Sequence, residues 1–378
     1  MGLRISGLIL GLLSGIVCGH AQQNSNDSLA SLLGAQDSGF PMVVQARDFD
    51  FPADHGPHPE YRNEWWYFTG NLDTQSGRRF GYELTFFRFS LLPDSALKET
   101  DWRSDQVYVA HFAVTDANGK KFHTAERISR NAMGLAGAQA SPFEVWLDDW
   151  RIASKPDAGA VDIWTLKARG KHIELELEME SLKPPALNGK SGLSQKSAKT
   201  GNASYYYSMP RWQSQGALLI DGEKFEVTGL SWLDREWGSS ALDSGQQGWD
   251  WFALQLSDGT DLMFYQLRRS DGSVDPFSAG TLIDREGNTR HLTKEQVQVF
   301  ILDYWDSPAG GRYPSRWQLV LTEAGIELDI KPVIANQELF TQVRYWEGAV
   351  DVRGSQNGKQ LNGRGYVELT GYARGGGP

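Results

Sequence analysis

The fold of this chain is decided by a stretch that occurs twice, as Trp65-Trp66-Tyr67-Phe68 and as Trp249-Asp250-Trp251-Phe252. Three further segments recur in the same order: 116–119 as 284–287, 173–177 as 326–330, and 227–232 as 361–366. One such match can arise by chance, but four matches in one order indicate a duplicated unit. The offset between copies shrinks along the chain, so the first copy carries the longer loops.

The recurring segments have the pattern of β-strands. In 173–180, apolar residues alternate with glutamates, which is the period of a half-buried strand. Turn sequences such as Ala117-Asn118-Gly119 separate the segments, and no long helical period interrupts them. We therefore predict an all-β protein of two closed or nearly closed antiparallel barrels. The predicted domains are 22–240 and 241–378, with a Gly/Ser-rich boundary near 238–248.

The N-terminus has the composition of a secretory signal peptide, predicted to be 1–21. Arg4 precedes an apolar run, and small residues around Ala21 favour cleavage there. We therefore expect a periplasmic or secreted protein. Cleavage would remove Cys18, the one cysteine, and leave neither a thiol nucleophile nor a disulfide. The alternative, a lipid anchor on Cys18, is less favoured because a small residue is expected directly before such a cysteine.

Charge and motifs exclude several functions. The sequence has 37 Lys and Arg against 47 Asp and Glu, and loss of Arg4 with the signal peptide gives 36 − 47 = −11. This balance opposes binding to nucleic acid. The sequence has no serine-hydrolase elbow, phosphate loop or dinucleotide fingerprint, and we predict no cofactor. The 14 tryptophans favour aromatic cores or an aromatic pocket.

Two charged clusters occur in the first copy and not in the second. Arg62-Asn63-Glu64 precedes Trp65, and Asp234-Arg235-Glu236-Trp237 follows Trp232. The first and last strands of an antiparallel barrel are neighbours, so the clusters can meet. In one interpretation, carboxyls among tryptophans have raised pKa values and protonate a substrate. In the other, which is the more common arrangement in cores, the arginines and carboxylates form a structural lattice.

Histidines and tyrosines supply further candidates. His55 and His58 lie in an irregular Pro- and Gly-containing loop whose spacing matches no known zinc pattern, so we predict no metal site. His111 lies in an apolar strand, where a hydrogen-bonded core histidine is favoured over a role in a pocket. Tyr205 and Tyr207 either contact a long apolar ligand or plug the barrel. Asp250 belongs to the shared repeat and is a weaker candidate acid.

Four segments, 58–70, 205–210, 231–238 and 248–252, resemble the AttH and carotenoid-hydratase family, and the likeness runs from about 45 to 372. The resemblance implies two tandem lipocalin-like barrels packed together. Some members of this family lie beside ABC-transporter permeases, and the hydratase branch adds water across a terminal double bond of an acyclic carotenoid. Hydration needs an acid, aromatic faces that stabilise a carbocation, and a placed water.

We carry three functional hypotheses forward. The leading one is a periplasmic carrier of a long hydrophobic isoprenoid or lipid-like ligand, with an ABC-transporter permease as its partner. The alternative is a hydratase or isomerase that acts on such a molecule. The third is a structural partner of a membrane complex. The candidate acids are Asp234, Glu236 and Asp250. The candidate ligand-binding residues are Glu64, Trp65, Tyr67, His111, Tyr205, Tyr207, Trp232, Arg235, Trp237 and Trp251.

Overall fold

The computed structural model describes residues 39–93, 104–155, 162–239, 242–243 and 245–373. The predicted signal peptide and Cys18 lie outside these residues. Three single-turn 3-10 helices occur in the described part of the chain: Ala53–His55, Lys294–Gln296 and Thr322–Ala324. No helix in this part is long and apolar enough to cross a bilayer.

All other regular elements are antiparallel strands, which form two sheets. The first sheet contains β1 (Asn63–Asp73), β2 (Arg79–Ser90), β3 (Gln106–Asp116), β4 (Lys121–Arg130), β5 (Ala136–Ala140), β6 (Phe143–Leu147), β7 (Trp150–Ser154), β8 (Ile163–Arg169), β9 (Ile173–Ser181), β10 (Ala186–Leu187), β11 (Leu193–Gln195), β12 (Ala203–Ile220) and β13 (Glu223–Gly238). The second contains β14 (Gln246–Leu256), β15 (Asp261–Arg269), β16 (Ala279–Ile283), β17 (Thr289–Thr293), β18 (Gln298–Asp306), β19 (Arg312–Leu321), β20 (Ile326–Pro332), β21 (Glu338–Phe340), β22 (Arg344–Gln356) and β23 (Lys359–Leu369).

The two sheets share one topology. The first has the order β4-β3-β2-β1-β13-β12-β9-β8-β7-β6-β5, with β10 and β11 paired to β12. The second has the order β17-β16-β15-β14-β23-β22-β20-β19-β18, with β21 paired to β22. Each strand of the second sheet therefore has a counterpart in the first. The first sheet has three strands more, namely β5, β6 and one of the two short strands β10 and β11, because β22 has a single short partner of this kind, β21. The all-β two-barrel prediction is confirmed, with the first sheet a nearly closed barrel and the second a half-barrel. The domain limits stay a prediction.

The interior of the first barrel is filled by aromatic side chains. Five of its tryptophans are almost fully buried: Trp66, Trp150, Trp164, Trp212 and Trp237. Rings of this size bury roughly 150–250 Å² each, which stabilises the fold by about 4–6 kcal/mol per ring before entropy is counted. The second sheet has a similar core around Trp317 and Trp346. A large ligand therefore has little room inside either barrel.

The outer faces of the two sheets pack against each other. Along β1, Trp66 and Phe68 point into the first core, whereas Trp65 and Tyr67 join apolar clusters that contain residues of both sheets. This follows from the two-residue period of a strand. Both units use the matching strands, so β1, β2, β12 and β13 face β14, β15, β22 and β23.

Close and polar contacts fix the packing of the sheets. Asp261 on β15 binds two cations from the first unit, with Lys183 Nζ 2.7 Å from Oδ2 and Arg211 Nε 2.9 Å from Oδ1. Backbone approach is tight at Gly81, where an added Cβ would lie 2.5 Å from the Cβ of Ala349. These contacts hold the outer faces in one register, and the candidate site lies between them.

Candidate active site

A small cavity of about 70 Å³ lies between the two sheets. This volume is below the roughly 300–1,000 Å³ of ordinary small-molecule sites, so a larger ligand has to displace lining side chains to enter. It is lined by aromatic residues, leucines, carboxyls and one lysine. These residues are Trp65, Tyr67, Phe87, Lys196, Tyr206, Asp234, Glu236, Leu242, Trp249, Trp251, Tyr265, Leu267, Glu347 and Glu368.

Aromatic side chains from both sheets form the apolar wall of the cavity. Tyr67 and Trp251 meet edge to face, with ring centroids 5.0 Å apart. Trp65 and Trp249, at equivalent places in the repeat, lie beside them. Aromatic faces attract cations through the ring quadrupole. The wall can therefore hold an apolar ligand and stabilise positive charge that develops on it.

Asp234 is a buried carboxyl in this wall, with three hydrogen-bond donors. Its Oδ1 accepts hydrogen bonds from Trp232 Nε1 at 2.7 Å and from Ser208 Oγ, and its Oδ2 accepts one from the Tyr206 hydroxyl. Burial raises the pKa of Asp234 to about 7, although the three donors act in the opposite direction. Asp234 can therefore hold or release a proton near neutral pH.

Tyr206 joins Asp234 to the second sheet. Its hydroxyl donates to Asp234 and accepts a hydrogen bond from Trp251 Nε1 at 3.1 Å. Burial, followed by the charges of Asp234 and Glu236, raises the pKa of Tyr206 well above its ordinary value. The phenol therefore stays protonated and fixes the orientation of the carboxyl.

Glu236 lies two residues further along β13 and is paired with a cation. Lys196 Nζ is 3.1 Å from Glu236 Oε1 and 4.1 Å from the centroid of the Tyr265 ring, and the Ser204 hydroxyl also donates to Glu236. Burial lowers the pKa of Lys196, but Glu236 and Tyr265 outweigh it and leave the pKa above its ordinary value. Glu236 is therefore held in an ion pair, whereas no cation among the described residues is paired with Asp234.

A second group of carboxyls lies on the side of the second sheet. Glu347 and Glu368 are directly opposite each other on β22 and β23. Glu347 Oε2 accepts a hydrogen bond from the Tyr67 hydroxyl at 2.9 Å. Burial, with a further contribution from the charges of Asp234 and Glu236, raises the pKa of Glu368 to about 8. Burial and the neighbouring glutamates raise the pKa of Glu347 well above its ordinary value.

The repeat gives Asp234 and Glu368 equivalent positions. Tyr67 on β1 lies opposite Asp234 on β13, and Trp251 on β14 lies opposite Glu368 on β23. At these equivalent positions, each unit contributes a carboxyl from its last strand and an aromatic ring from its first strand. Glu236 and Glu347 add a second carboxyl from each unit.

Most of the chain matches one known protein family. The sequence profile of the AttH-like family matches residues 42–372. This chain belongs to the AttH-like family. A crystal structure from Nitrosomonas europaea, described as an AttH, is 34% identical and superposes with a TM-score of 0.79 over 89% of this chain and 100% of that one.

This AttH-like chain is also similar to kievitone hydratases. The enzyme of Fusarium solani subsp. phaseoli is 24% identical over 174 residues, which are 44% of this chain and 48% of the hydratase. The matched region thus spans about half the length of that relative. The crystal structure of kievitone hydratase from Nectria haematococca has a TM-score of 0.64 at 15% identity, over 89% of this chain and 95% of that one, and shows the shared fold.

Several residues predicted from the AttH-like sequence line the cavity. The aromatic ones are Trp65, Tyr67 and Trp251, and the carboxyls are Asp234 and Glu236. Trp232 lies behind this wall as the donor to Asp234.

Other predicted residues lie inside the first barrel, because they occupy the opposite strand face. Glu64 forms ion pairs with Arg88 and Arg235, and all three side chains are fully buried. Burial would raise the pKa of Glu64, but the two arginines hold it well below the ordinary value. The charged clusters 62–64 and 234–237 therefore lie on neighbouring strands, with this lattice facing inward and Asp234 facing outward.

The predicted rings Tyr205, Tyr207 and Trp237 fill the same barrel. His55 Nδ1 lies 2.7 Å from the Tyr207 hydroxyl, and burial lowers the pKa of His55 to about 3. His58 stacks on Trp237 with ring centroids 3.8 Å apart. Among the described residues, no group of three or more His, Cys, Asp or Glu side chains is arranged to hold a metal.

Asp250 and His111 also lie outside the cavity lining. Asp250 is buried within the second sheet, where Arg268 Nε lies 2.9 Å and the Tyr372 hydroxyl 3.0 Å from its Oδ1. His111 lies between the sheets, with Nδ1 2.7 Å from the Tyr345 hydroxyl and Nε2 3.1 Å from Glu126. These contacts give both groups a role in packing.

Several lining residues were not predicted from the sequence. Tyr206 was missed because its neighbours Tyr205 and Tyr207 were chosen, although strand alternation places Tyr206 on the face of Asp234. Glu368 could have been found as the repeat counterpart of Asp234. No sequence motif indicates Lys196, which lies in a loop, or Glu347, which lies in β22.

Proposed function

We propose that this protein is a hydratase that adds water to an alkene of a hydrophobic ligand bound between the two sheets. The observation that carries the proposal is Asp234, a carboxyl with a pKa of about 7 in a buried aromatic wall. The similarity to kievitone hydratases supports the same reaction class. The fold by itself does not assign a reaction.

Asp234 can serve as both acid and base in the reaction. The protonated carboxyl transfers its proton to one alkene carbon, which leaves a carboxylate and a carbocation. Water then forms a C–O bond to the cation, and the proton that it loses returns to Asp234. The net change is the addition of one water molecule, and the acid is regenerated. The faces of Trp65, Trp249 and Trp251 stabilise the cation.

The test is a hydration assay in ¹⁸O-enriched water with kievitone and, separately, an acyclic carotenoid as probes. We expect mass spectrometry to show a product that has gained one labelled water. D234N should bind the probe normally and lose at least about 100-fold in rate, which is the usual contribution of general acid catalysis. D250N is the matched control, because Asp250 lies outside the cavity lining; its folded fraction should remain active.

Two outcomes would count against the hydratase. Equal product formation by wild type and D234N would show that Asp234 is not the acid. Tight binding of both probes without addition of water would favour the carrier hypothesis, which needs the cavity but no proton donor.

The location and the partner of the protein are further proposals. Export from the cytoplasm rests on residues 1–21, and a transporter permease as a partner rests on the family resemblance. Cell fractionation and co-purification from the membrane fraction would test the two proposals separately.

A further inference from the structure

In the described part of the chain, Glu347 and Glu368 form a pair of carboxyls without a counterion. Their backbones are directly opposite each other on neighbouring strands, and both side chains line the cavity. They are 0% and 8% exposed. Lys196 is the only cation among the lining residues, and it is already paired with Glu236.

The groups around this pair are acids, phenols and a tryptophan. They are Tyr67, Glu83, Asp234 and Glu236 from the first sheet, and Trp249, Tyr345 and Tyr366 from the second. None of them supplies positive charge. Burial, followed by repulsion from neighbouring acids, raises the pKa of Glu347, of Glu368 and of the adjacent Glu83, which favours the neutral form of each carboxyl. A neutral carboxylic acid has an O–H donor, which a carboxylate lacks.

Each member of the pair has an oxygen without a partner. Among the described residues, Glu347 Oε1 and Glu368 Oε1 are buried and accept or donate no hydrogen bond, whereas Glu347 Oε2 is held by Tyr67. Buried polar atoms are normally hydrogen-bonded, and an unpaired one destabilises the fold. The two carboxyls lie within hydrogen-bonding reach of each other, and Trp249 is a donor to Glu368. Because both side chains line the cavity, a bound ligand can satisfy the remaining Oε1 atoms.

We propose that Glu347 and Glu368 donate hydrogen bonds to a carbonyl oxygen of the ligand, so that the substrate is an apolar, unsaturated ketone or related carbonyl compound. A carbonyl oxygen is a pure acceptor with two lone pairs, which matches two O–H donors. A ligand carboxylate would be repelled by the surrounding acids, and a ligand ammonium would require the pair to ionise in a buried site. This carbonyl site depends on the proposed hydratase function in one respect, which is that the alkene of the ligand lies beside Asp234.

The test uses binding, so it is independent of turnover. The probes are geranylacetone, which is an isoprenoid ketone, the hydrocarbon of the same skeleton, and geranylamine. Binding is followed by the fluorescence of the tryptophans in the wall. At pH 7 we expect the ketone to bind at least about tenfold more tightly than the hydrocarbon, which corresponds to one or two net hydrogen bonds. Infrared spectra should show the ketone stretch shifted to lower frequency on binding.

Two sets of variants separate hydrogen bonding from shape. The double variant E347Q/E368Q keeps N–H donors of similar size and should retain the preference for the ketone. E347M/E368M removes the donors and should reduce ketone affinity about tenfold while leaving hydrocarbon affinity unchanged. In wild type the preference should decline above about pH 8, where Glu368 ionises, and in the glutamine variant it should not.

The proposal would be overturned by equal binding of ketone and hydrocarbon, by no detectable ketone binding, by tighter binding of the amine, or by an unshifted carbonyl band. Circular dichroism of each variant establishes that it is folded, and the glutamine variant tests the proposal even where the methionine variant unfolds. Loss of hydration in D234N with normal ketone binding would support both proposals. Ketone binding without hydration in wild type would remove the hydratase and leave the carbonyl site.

Discussion

Replacement of Asp234 by asparagine is expected to stabilise the folded protein at neutral pH while abolishing hydration. The folded-state pKa of Asp234 is about 7, against an ordinary value of 3.8. Below pH 3.8 both states hold the proton, and the carboxyl makes no difference to stability. Between 3.8 and 7 the unfolded chain releases the proton and the folded protein does not, so stability falls as pH rises.

The size of this effect follows from the shift. Three pKa units at 1.36 kcal/mol each give an upper limit of about 4 kcal/mol at pH 7.5. Asparagine can still accept hydrogen bonds from Ser208 and Trp232 through its carbonyl oxygen. Its amide NH₂ takes the place of the oxygen that accepts from Tyr206, and the loss of this hydrogen bond costs about 1 kcal/mol. D234N should therefore be more stable than wild type by about 2–3 kcal/mol at pH 7.5 and no more stable at pH 4.

Urea unfolding at pH 4, 6 and 7.5 measures the effect. D250N is the matched control: it replaces another fully buried aspartate, but one paired with Arg268. Burial raises the pKa of Asp250 too, but D250N also leaves Arg268 partly buried without its partner, so D250N should be less stable than D234N at pH 7.5. If D234N were destabilised as strongly as D250N at that pH, Asp234 would be a structural residue and the reasoning would fail.

Two further variants test the frame around the site. E64Q removes the charge that pairs Arg88 with Arg235 inside the first barrel, and it should cost about 3–5 kcal/mol in thermal or urea unfolding; an unchanged midpoint would show that the lattice is dispensable. G81A places a methyl group 2.5 Å from the Cβ of Ala349, so it should force the sheets apart and weaken ligand binding more than it alters far-ultraviolet circular dichroism. Ligand affinity equal to wild type would contradict the tight approach of the sheets.

Most of the fold was predicted from the internal repeat. Four matched segments predicted two similar antiparallel units, and the structure shows the same strand order in both. The meeting of the clusters 62–64 and 234–237 also follows from the sequence, since the first and last strands of a barrel are neighbours. The half-barrel form of the second unit could not be predicted from the sequence. The second sheet lacks counterparts to β5 and β6, and this is visible only after the strands have been assigned.

The location of the site could not be predicted from either unit alone. Strand alternation separates Asp234 and Glu236 from Arg235 and Trp237, but it does not say which face is inside a barrel. A single barrel of this kind would hold its ligand inside. Here the interior is filled by tryptophans, and the cavity exists only because two outer faces are packed together.

The pairing of the buried carboxyls indicates that those in the cavity do not serve to stabilise the fold. Buried carboxyls that hold the frame are paired with cations: Glu64 with two arginines, Asp250 with Arg268, and Asp261 with Lys183 and Arg211.

Asp234, Glu347 and Glu368 are as deeply buried as these structural carboxyls, but no cation among the described residues is paired with them. Burial raises the pKa values of these cavity carboxyls, and it also raises those of Asp250 and Asp261 despite their cations, so the missing cation is what distinguishes the cavity carboxyls. An interface that served only to join two barrels would be more stable with apolar residues at these positions. Their presence opposes folding at neutral pH, and uncharged carboxyls facing a cavity are what proton transfer and carbonyl binding require. The repeat supplied the two equivalent positions, and a reaction in the cavity gives a physical reason to keep an acid at both.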